Sequence, residues 1–514
     1  MITARFEPGE LTDDWERAIE RLAADDVVRR FWDLDHTVVG PDPTEVADRL
    51  GWLGVVASSE RDWPRWVLAA DEIVDGAGHA DPGSVTDVVV LGMGGSSLFP
   101  EVLSSTFDRG EGFPSLTVLD TTDPAAVRRV TDGTDPERTF VLASSKSGST
   151  IETRSHLEHF WHRRPIGTGF GVVTDPGSAL EQLATERGFR LVAHGVPEIG
   201  GRFSALSAFG LVPAALMGLD GVALLETAAE AAEVLGPDTP VEHHVASQLG
   251  ALVAVAAQQG RDKLTFLIDE RFEQFGLWLE QLVAESTGKH GVGILPVVGE
   301  GPDAPDPEHR LYVVLGDPDL GGAPLRAPSV HLAVEEPEDL GAQIFLWEFA
   351  TAVAGVVLGI NPFDQPDVES AKRAARAVLG SAGEPEPTSA LDDALAQVRP
   401  GDALVLAAFV DPATEPELQA ARRALSRRTG VATTLGLGPR FLHSTGQLHK
   451  GGPDRIVVVQ VVGELDEDVP VPGESFTFGQ LEHAQADGDL TALRAAGKRA
   501  VRVPLAELLA AADA

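Results

Sequence analysis

Residues 139–153, TFVLASSKSGSTIET, carry the densest run of groups able to do chemistry. Phe140–Ala143 is apolar and predicts a buried parallel strand. Ser144, Ser145, Lys146, Ser147, Gly148, Ser149 and Thr150 follow, and a helix is predicted from about Ile151. Small residues allow a tight bend, so the N–H groups opening that helix face one spot beside several hydroxyls and one ammonium. Donors, a helix dipole and no carboxylate suit a phosphate group. A Ser-rich cap on an ordinary strand-to-helix turn has the same composition.

A second glycine turn, Gly92-Met93-Gly94-Gly95-Ser96-Ser97, follows the apolar run Asp87–Leu91. Glycines after a buried strand let the backbone approach a ligand closely, although close helix–strand packing needs them equally. The spacing is not that of a dinucleotide site, so Asp120 at the end of the next strand is not read as a ribose ligand. Arg202, between Gly200-Gly201 and a helix start, can turn inward; spacing alone favours a surface Arg beside a turn. Gln281 and Glu285 lie one turn apart on an amphipathic helix over 272–285 and can converge on one ligand. A carboxylate near a helix C-terminus opposes the dipole, which gives Glu285 some reason to be functional. Spacing alone still favours a solvated Glu.

The elements that must position these groups alternate. Strands are predicted at Asp87–Leu91, Leu116–Leu119, Phe140–Ala143 and Phe170–Val173, with helices between, which makes a doubly wound parallel sheet. Ligands sit at the carboxyl ends of such strands, where both the 94–97 turn and the 145–150 loop fall. Before it, residues 1–50 read as helices with a loop at 38–43. Thr44–Leu50 and Glu60–Asp75 read as two more helices. After it come strands at Lys263–Ile268, Leu311–Leu315 and Val330–Ala333 and a long apolar helix at Glu338–Leu358. A Gly/Pro/Glu linker at 381–388 leads to strands at Leu404–Phe409 and Ile456–Val462. The expected division is an N-terminal helical segment (1–80), two α/β units (81–220 and 221–380) and a C-terminal α/β segment (381–514).

A chain of 514 residues exceeds one core. It has no Cys, which excludes disulfides and thiolate chemistry. The net charge of −39 argues against a nucleic-acid partner. It would also repel an anionic substrate unless the site is locally positive. There are only six lysines, and Lys146, Lys289 and Lys372 fall within the motifs described here. No signal peptide or membrane span is read from the sequence, so a cytoplasmic protein is the expectation.

Taken together, LGMGGSSLFPE (91–101), SSKSGSTIET (144–153), GGRFSALS (200–207), EQLVAESTGKHGVGILPV (280–297) and NPFDQPDVESAK (361–372) resemble the phosphoglucose isomerase family, in family order. The resemblance is closest to the isomerase half of bifunctional transaldolase/phosphoglucose isomerase proteins. One family motif, close to L-H-S-M-G-Q, is missing between the Glu and Lys motifs; FLHSTGQ stands instead at 441–447. The order therefore looks rearranged, with a segment of the second unit moved into the C-terminal part.

The resemblance implies two sugar-isomerase domains of flavodoxin-like three-layer α/β/α build with parallel sheets. It implies conversion of glucose 6-phosphate to fructose 6-phosphate with no metal or redox cofactor. Gly95, Ser96, Ser145, Lys146, Ser147 and Thr150 would hold the phosphate. Glu285 would move the proton between C2 and C1, Arg202 would stabilise the enediolate, and Gln281 would orient hydroxyls. Lys372 and His443 would open the sugar ring. The family's homodimer is implied too; the rearrangement leaves open whether His443 acts in its own subunit.

Overall fold

In the computed structural model, residues 2–75, 85–322, 324–366, 379, 388–464 and 467–512 are described. The linker expected at 381–388 and the helix expected to carry Lys372 lie outside them, apart from Thr388. Three sheets organise the chain. The first runs, in spatial order, Ser115–Leu119, Asp87–Leu91, Thr139–Ser144, Phe170–Thr174 and Leu191–His194, all parallel. Thr139–Ser144 is buried throughout, as a central strand covered by helices on both faces requires. Chain order reverses between Asp87–Leu91 and Thr139–Ser144. The two glycine- and serine-rich loops therefore leave from adjacent strands at the switch point, where α/β sheets bind ligands.

The second sheet runs Ala4–Glu7, Ser329–Leu332, Arg310–Leu315, Lys263–Ile268 and Leu295–Val297. Its Ala4–Glu7 strand is antiparallel to Ser329–Leu332, so the N-terminal segment is not wholly helical. Thr44–Leu50, read as a helix, is a run of turns: Glu45 has φ 51°, and the N–H groups of Val46 and Ala47 both donate to Pro43 O. The third sheet, Ala432–Leu437, Ala403–Phe409, Ile456–Val462 and Arg499–Arg502, is parallel throughout. The chain is thus α/β with mainly parallel sheets.

The third sheet is locked to the other two by buried polar contacts. Glu300, just past the Leu295–Val297 strand, accepts from Ser426 Oγ at 2.7 Å and Thr433 N at 3.0 Å. Lys263 Nζ donates to Gly401 O at 2.5 Å. Towards the first sheet, Arg440 Nε donates to Asp120 Oδ2 at 2.7 Å, which gives Asp120 a structural task. The helix Phe478–Ala495 lays Phe478 against the His156 ring at 5.2 Å, nearly parallel.

The helix Leu340–Leu358 packs against helices Val245–Gln258 and Gly221–Val234 at the centre of the main core. With the turn before it, it is long and apolar enough to cross a membrane, contrary to the sequence reading, but 83% of its apolar window is buried inside the molecule. In its middle sits Glu348, fully buried, whose two carboxyl oxygens find no hydrogen-bond partner among the described residues. Burial alone pushes its pKa well above the ordinary value, so it is held neutral. A folded pKa above the unfolded one favours folding below the unfolded value and loses that contribution as pH rises. Glu348→Met should therefore stabilise the protein by about 1–3 kcal/mol at pH 8. At pH 5 the gain should be smaller. Urea midpoints at the two pH values check both the sign and the slope.

Candidate active site

Where the first sheet's switch point faces the second and third sheets there is a cavity of about 320 Å³. One wall is the loop after Thr139–Ser144. Ser145 Oγ and Thr150 Oγ1 are 3.1 Å apart, and Ser147 Oγ and Ser149 Oγ are 2.8 Å apart. Gly148 turns the chain at φ 67°, a conformation that glycine takes without strain. Thr150 precedes the helix Ile151–Arg163 in extended backbone and makes no side-chain cap, which leaves the helix's first N–H groups facing the loop. Ser145, Lys146, Ser147 and Thr150 all line the cavity.

Lys146 has other partners. Its ammonium is 2.6 Å from Asp175 Oδ2 and also donates to Val196 O and Pro197 O. Those three contacts use the three donors of a lysine. Positive charge assigned to this loop from the sequence is therefore largely neutralised by Asp175, just past the neighbouring strand Phe170–Thr174. What remains on offer is hydroxyls and helix N–H groups.

The second wall is the Gly94–Ser96 turn with Gly95 and Ser96. A methyl on Gly95 would lie 1.9 Å from Gly201 O, and one on Gly94 would lie 2.6 Å from His443 O. Three turns, around Gly95, Arg202 and His443, thus meet backbone to backbone, and only glycine fits between them.

Arg202 turns inward and is buried. Its Nε donates to Ser286 Oγ at 2.7 Å and its Nη2 to Pro362 O at 2.5 Å. Its Nη1 is 3.7 Å from Glu285 Oε2 and finds no hydrogen-bond partner among the described residues. Glu285 and Gln281 both sit on the buried side of the helix Phe275–Thr287. Gln281 Nε2 donates to Glu285 Oε2 at 3.2 Å and to His443 O at 2.9 Å, while its Oε1 has no partner among the described residues. Both unpaired atoms belong to side chains that line the cavity, and a buried polar atom of this kind calls for a partner. Burial raises the Glu285 pKa above the usual carboxylate value; Arg202, His443, Lys289 and Gln281 oppose that shift. A base drawn towards neutral pH is well matched to repeated proton transfer.

His443 reaches this cavity from the third sheet because the C-terminal part folds back. It ends the short turn Arg440–His443, and the helix Gly446–Gly451 follows. That helix docks on the end of Phe275–Thr287: Gln447 Nε2 donates to Gly288 O at 2.9 Å, and a Cβ on Gly288 would meet Leu448 Cα at 2.3 Å. His443 Nε2 lies 2.9 Å from Glu152 Oε1, which also accepts from Gln485 Nε2 at 2.5 Å. Burial works against ionising Glu152, yet the adjacent His443 outweighs it and holds the carboxyl below its usual range.

Glu285, Arg202, Gln281, His443 and the two loops are therefore brought to one place; Lys372 lies outside the described residues. Sequence reasoning had passed over Glu152, Gln365 and Gln485. Glu152 stands inside the serine-rich motif, in the first turn of its helix. Gln365, which lines the cavity, stands inside the NPFDQP turn. Gln485 is in no motif, and nothing in the sequence marked it.

A family profile described as phosphoglucose isomerase matches residues 70–294. A glucose-6-phosphate isomerase of Rubrobacter xylanophilus is 30% identical over 361 residues, covering 58% of this chain and 83% of that protein. One from Staphylococcus saprophyticus is 27% identical over 433 residues, 72% of this chain and 95% of the relative. Among solved structures, a hypothetical protein from Thermus thermophilus aligns with a TM-score of 0.60 and 25% identity, over 74% of this chain and all of that one. A glucose-6-phosphate isomerase from Chlamydia trachomatis aligns with a TM-score of 0.57 at 19% identity, over 71% and 86% of the two chains, a likeness of fold.

Proposed function

The chain belongs to the phosphoglucose isomerase family, and from that premise we propose how its cavity interconverts glucose 6-phosphate and fructose 6-phosphate. The observation that carries the assignment of roles is the set Glu285, Arg202 and Gln281, buried and mutually bonded, beside a hydroxyl-rich loop in one cavity. Ser96, Ser145, Ser147 and Thr150, with the turn at Gly95, hold the phosphate. Fixing that remote group places C1 and C2 over Glu285 and turns binding energy into orientation. Lys146 serves this loop through Asp175 and its own backbone contacts.

On the open-chain aldose, the Glu285 carboxylate removes the C2 proton. The electron pair forms the C1–C2 double bond and places negative charge on O1. Arg202, whose Nη1 has no other hydrogen bond among the described residues, stabilises that charge. The O2 hydroxyl proton passes to O1, so that the charge moves to O2; protonated Glu285 then returns its proton to C1, O2 becomes the carbonyl, and fructose 6-phosphate results. Gln281 holds Glu285 with its amide nitrogen and has its oxygen left for a substrate hydroxyl. His443, held by Glu152, and Lys372 exchange protons with the ring oxygen and the O1 hydroxyl during ring opening. The partner is a small sugar phosphate, the setting is cytoplasmic, and no nucleic acid or membrane enters the reading.

A homodimer is compatible with this arrangement, but one chain already supplies Glu285 and His443 to one cavity. A coupled assay with glucose 6-phosphate and mannose 6-phosphate side by side tests the reading. Turnover of the glucose ester is expected to dominate. Preference for the mannose ester would point to another aldose phosphate as substrate, and binding without turnover to a sugar-phosphate sensor.

A further inference from the structure

Lys289 is a charged group that the mechanism above leaves unused. It is one of six lysines in the chain, and none of its side chain is exposed. It follows the end of the Glu285 helix, yet it does not line the cavity. Instead its ammonium donates to Asn361 O at 2.7 Å, to Asp364 O at 2.8 Å and to Asp364 Oδ1 at 2.6 Å. Arg202 grips the same turn from the other side, through Pro362 O at 2.5 Å and Asp364 O at 3.3 Å. The turn is closed on itself by Phe363 N donating to Asn361 Oδ1 at 2.9 Å. The Phe363 ring packs on Phe203, next to Arg202, with centroids 5.2 Å apart. The next residue after Asp364 is Gln365, in the cavity wall.

A fully buried ammonium is expensive. Burial first, then the neighbouring Arg202, lowers its pKa to about 8, against the pull of Asp364 and Glu285. Two cations and two carboxylates thus balance each other around one turn. A chain so sparing of lysine has put one where all three donors go to that turn.

We propose that Lys289 is a positioning residue of the isomerase site: by gripping Asn361 and Asp364 it holds the 361–365 turn where Arg202 meets Glu285 and Gln365 meets the cavity. The inference rests on the isomerase reading above. A role confined to neutralising Asp364 is the alternative, and the two differ in what a second substitution repairs.

The test compares the parent protein, Lys289→Met and Lys289→Met/Asp364→Asn. Three quantities are measured: kcat on glucose 6-phosphate, the Kd of sorbitol 6-phosphate by calorimetry, and the Tm. Lys289→Met should lower kcat ~10–100-fold, the scale of a small misplacement of reacting groups. The Kd should stay within about threefold, since the phosphate loop belongs to the first sheet and rests on other contacts. The double variant should regain Tm, because the orphaned carboxylate is gone, and should not regain kcat. Recovery of both would reduce Lys289 to a charge balance and overturn the proposal. So would an unchanged kcat in Lys289→Met, or failure of both variants to fold. A parent protein with no turnover of glucose 6-phosphate would instead sink the isomerase reading itself.

Discussion

Glu285→Gln should fold as the parent does and lose turnover by ~10²–10⁴-fold, the usual contribution of a general acid–base group. The substitution keeps shape and packing within a buried helix face, so the 145–150 loop and the Gln281–His443 contact are left in place. The amide cannot accept the C2 proton, and in the proposed mechanism both halves of the reaction use the same carboxylate. The loss should therefore appear in kcat, with the Kd of sorbitol 6-phosphate changed little. Steady-state kinetics and calorimetry on one preparation decide the matter. Turnover above a tenth of the parent's would remove Glu285 from its role.

His443→Ala separates ring opening from isomerisation. Its imidazole is held by Glu152, and through Glu152 it is tied to Gln485. Turnover of cyclic glucose 6-phosphate should fall ~10²-fold or more, while an open-chain analogue is largely spared. Equal loss on both substrates would assign His443 to the proton transfer itself or to packing. The same variant asks which chain supplies the histidine. Mixed with Glu285→Gln after joint refolding, it should restore no activity, because both groups come from one chain. Recovery to a sizeable fraction of parental activity would show that the histidine crosses between subunits.

Much of the site was legible because its chemistry comes in contiguous pieces. A strand followed by a Gly- or Ser-rich loop places its donors by local rules alone, so the 94–97 and 145–150 turns could be located without coordinates. Arg202 and Glu285 were different: spacing favoured exposed positions for both, and only the family motif pointed inward. Their burial depends on Ser286, Pro362 and each other. The ammonium of Lys146 was assigned to the ligand because Asp175 follows another strand, and no local pattern shows that pairing. Gln485 was invisible for the same reason, 333 residues from the Glu152 it bonds. The strand Ala432–Leu437 was missed because half of it is only partly buried and Thr433, Thr434 and Gly436 leave it no apolar run. Helical composition over 44–50 lost to a left-handed Glu45 and to turns built on Pro43.

The docking of Gly446–Gly451 on the end of the Glu285 helix has a consequence for biosynthesis. Gln281 leaves the ribosome 162 residues ahead of the His443 carbonyl that it binds. At ordinary translation speeds that gap lasts roughly 10–30 s. For that time the nascent protein holds Glu285 and the 145–150 loop in a pocket with one side unbuilt, and the apolar seam that will receive Leu448 is open to solvent. The helix bearing Gln485 arrives later still. Completion of the pocket is thus deferred until the chain past Gln485 has been made, and shielding that seam in the interval is a task for whatever attends the emerging chain.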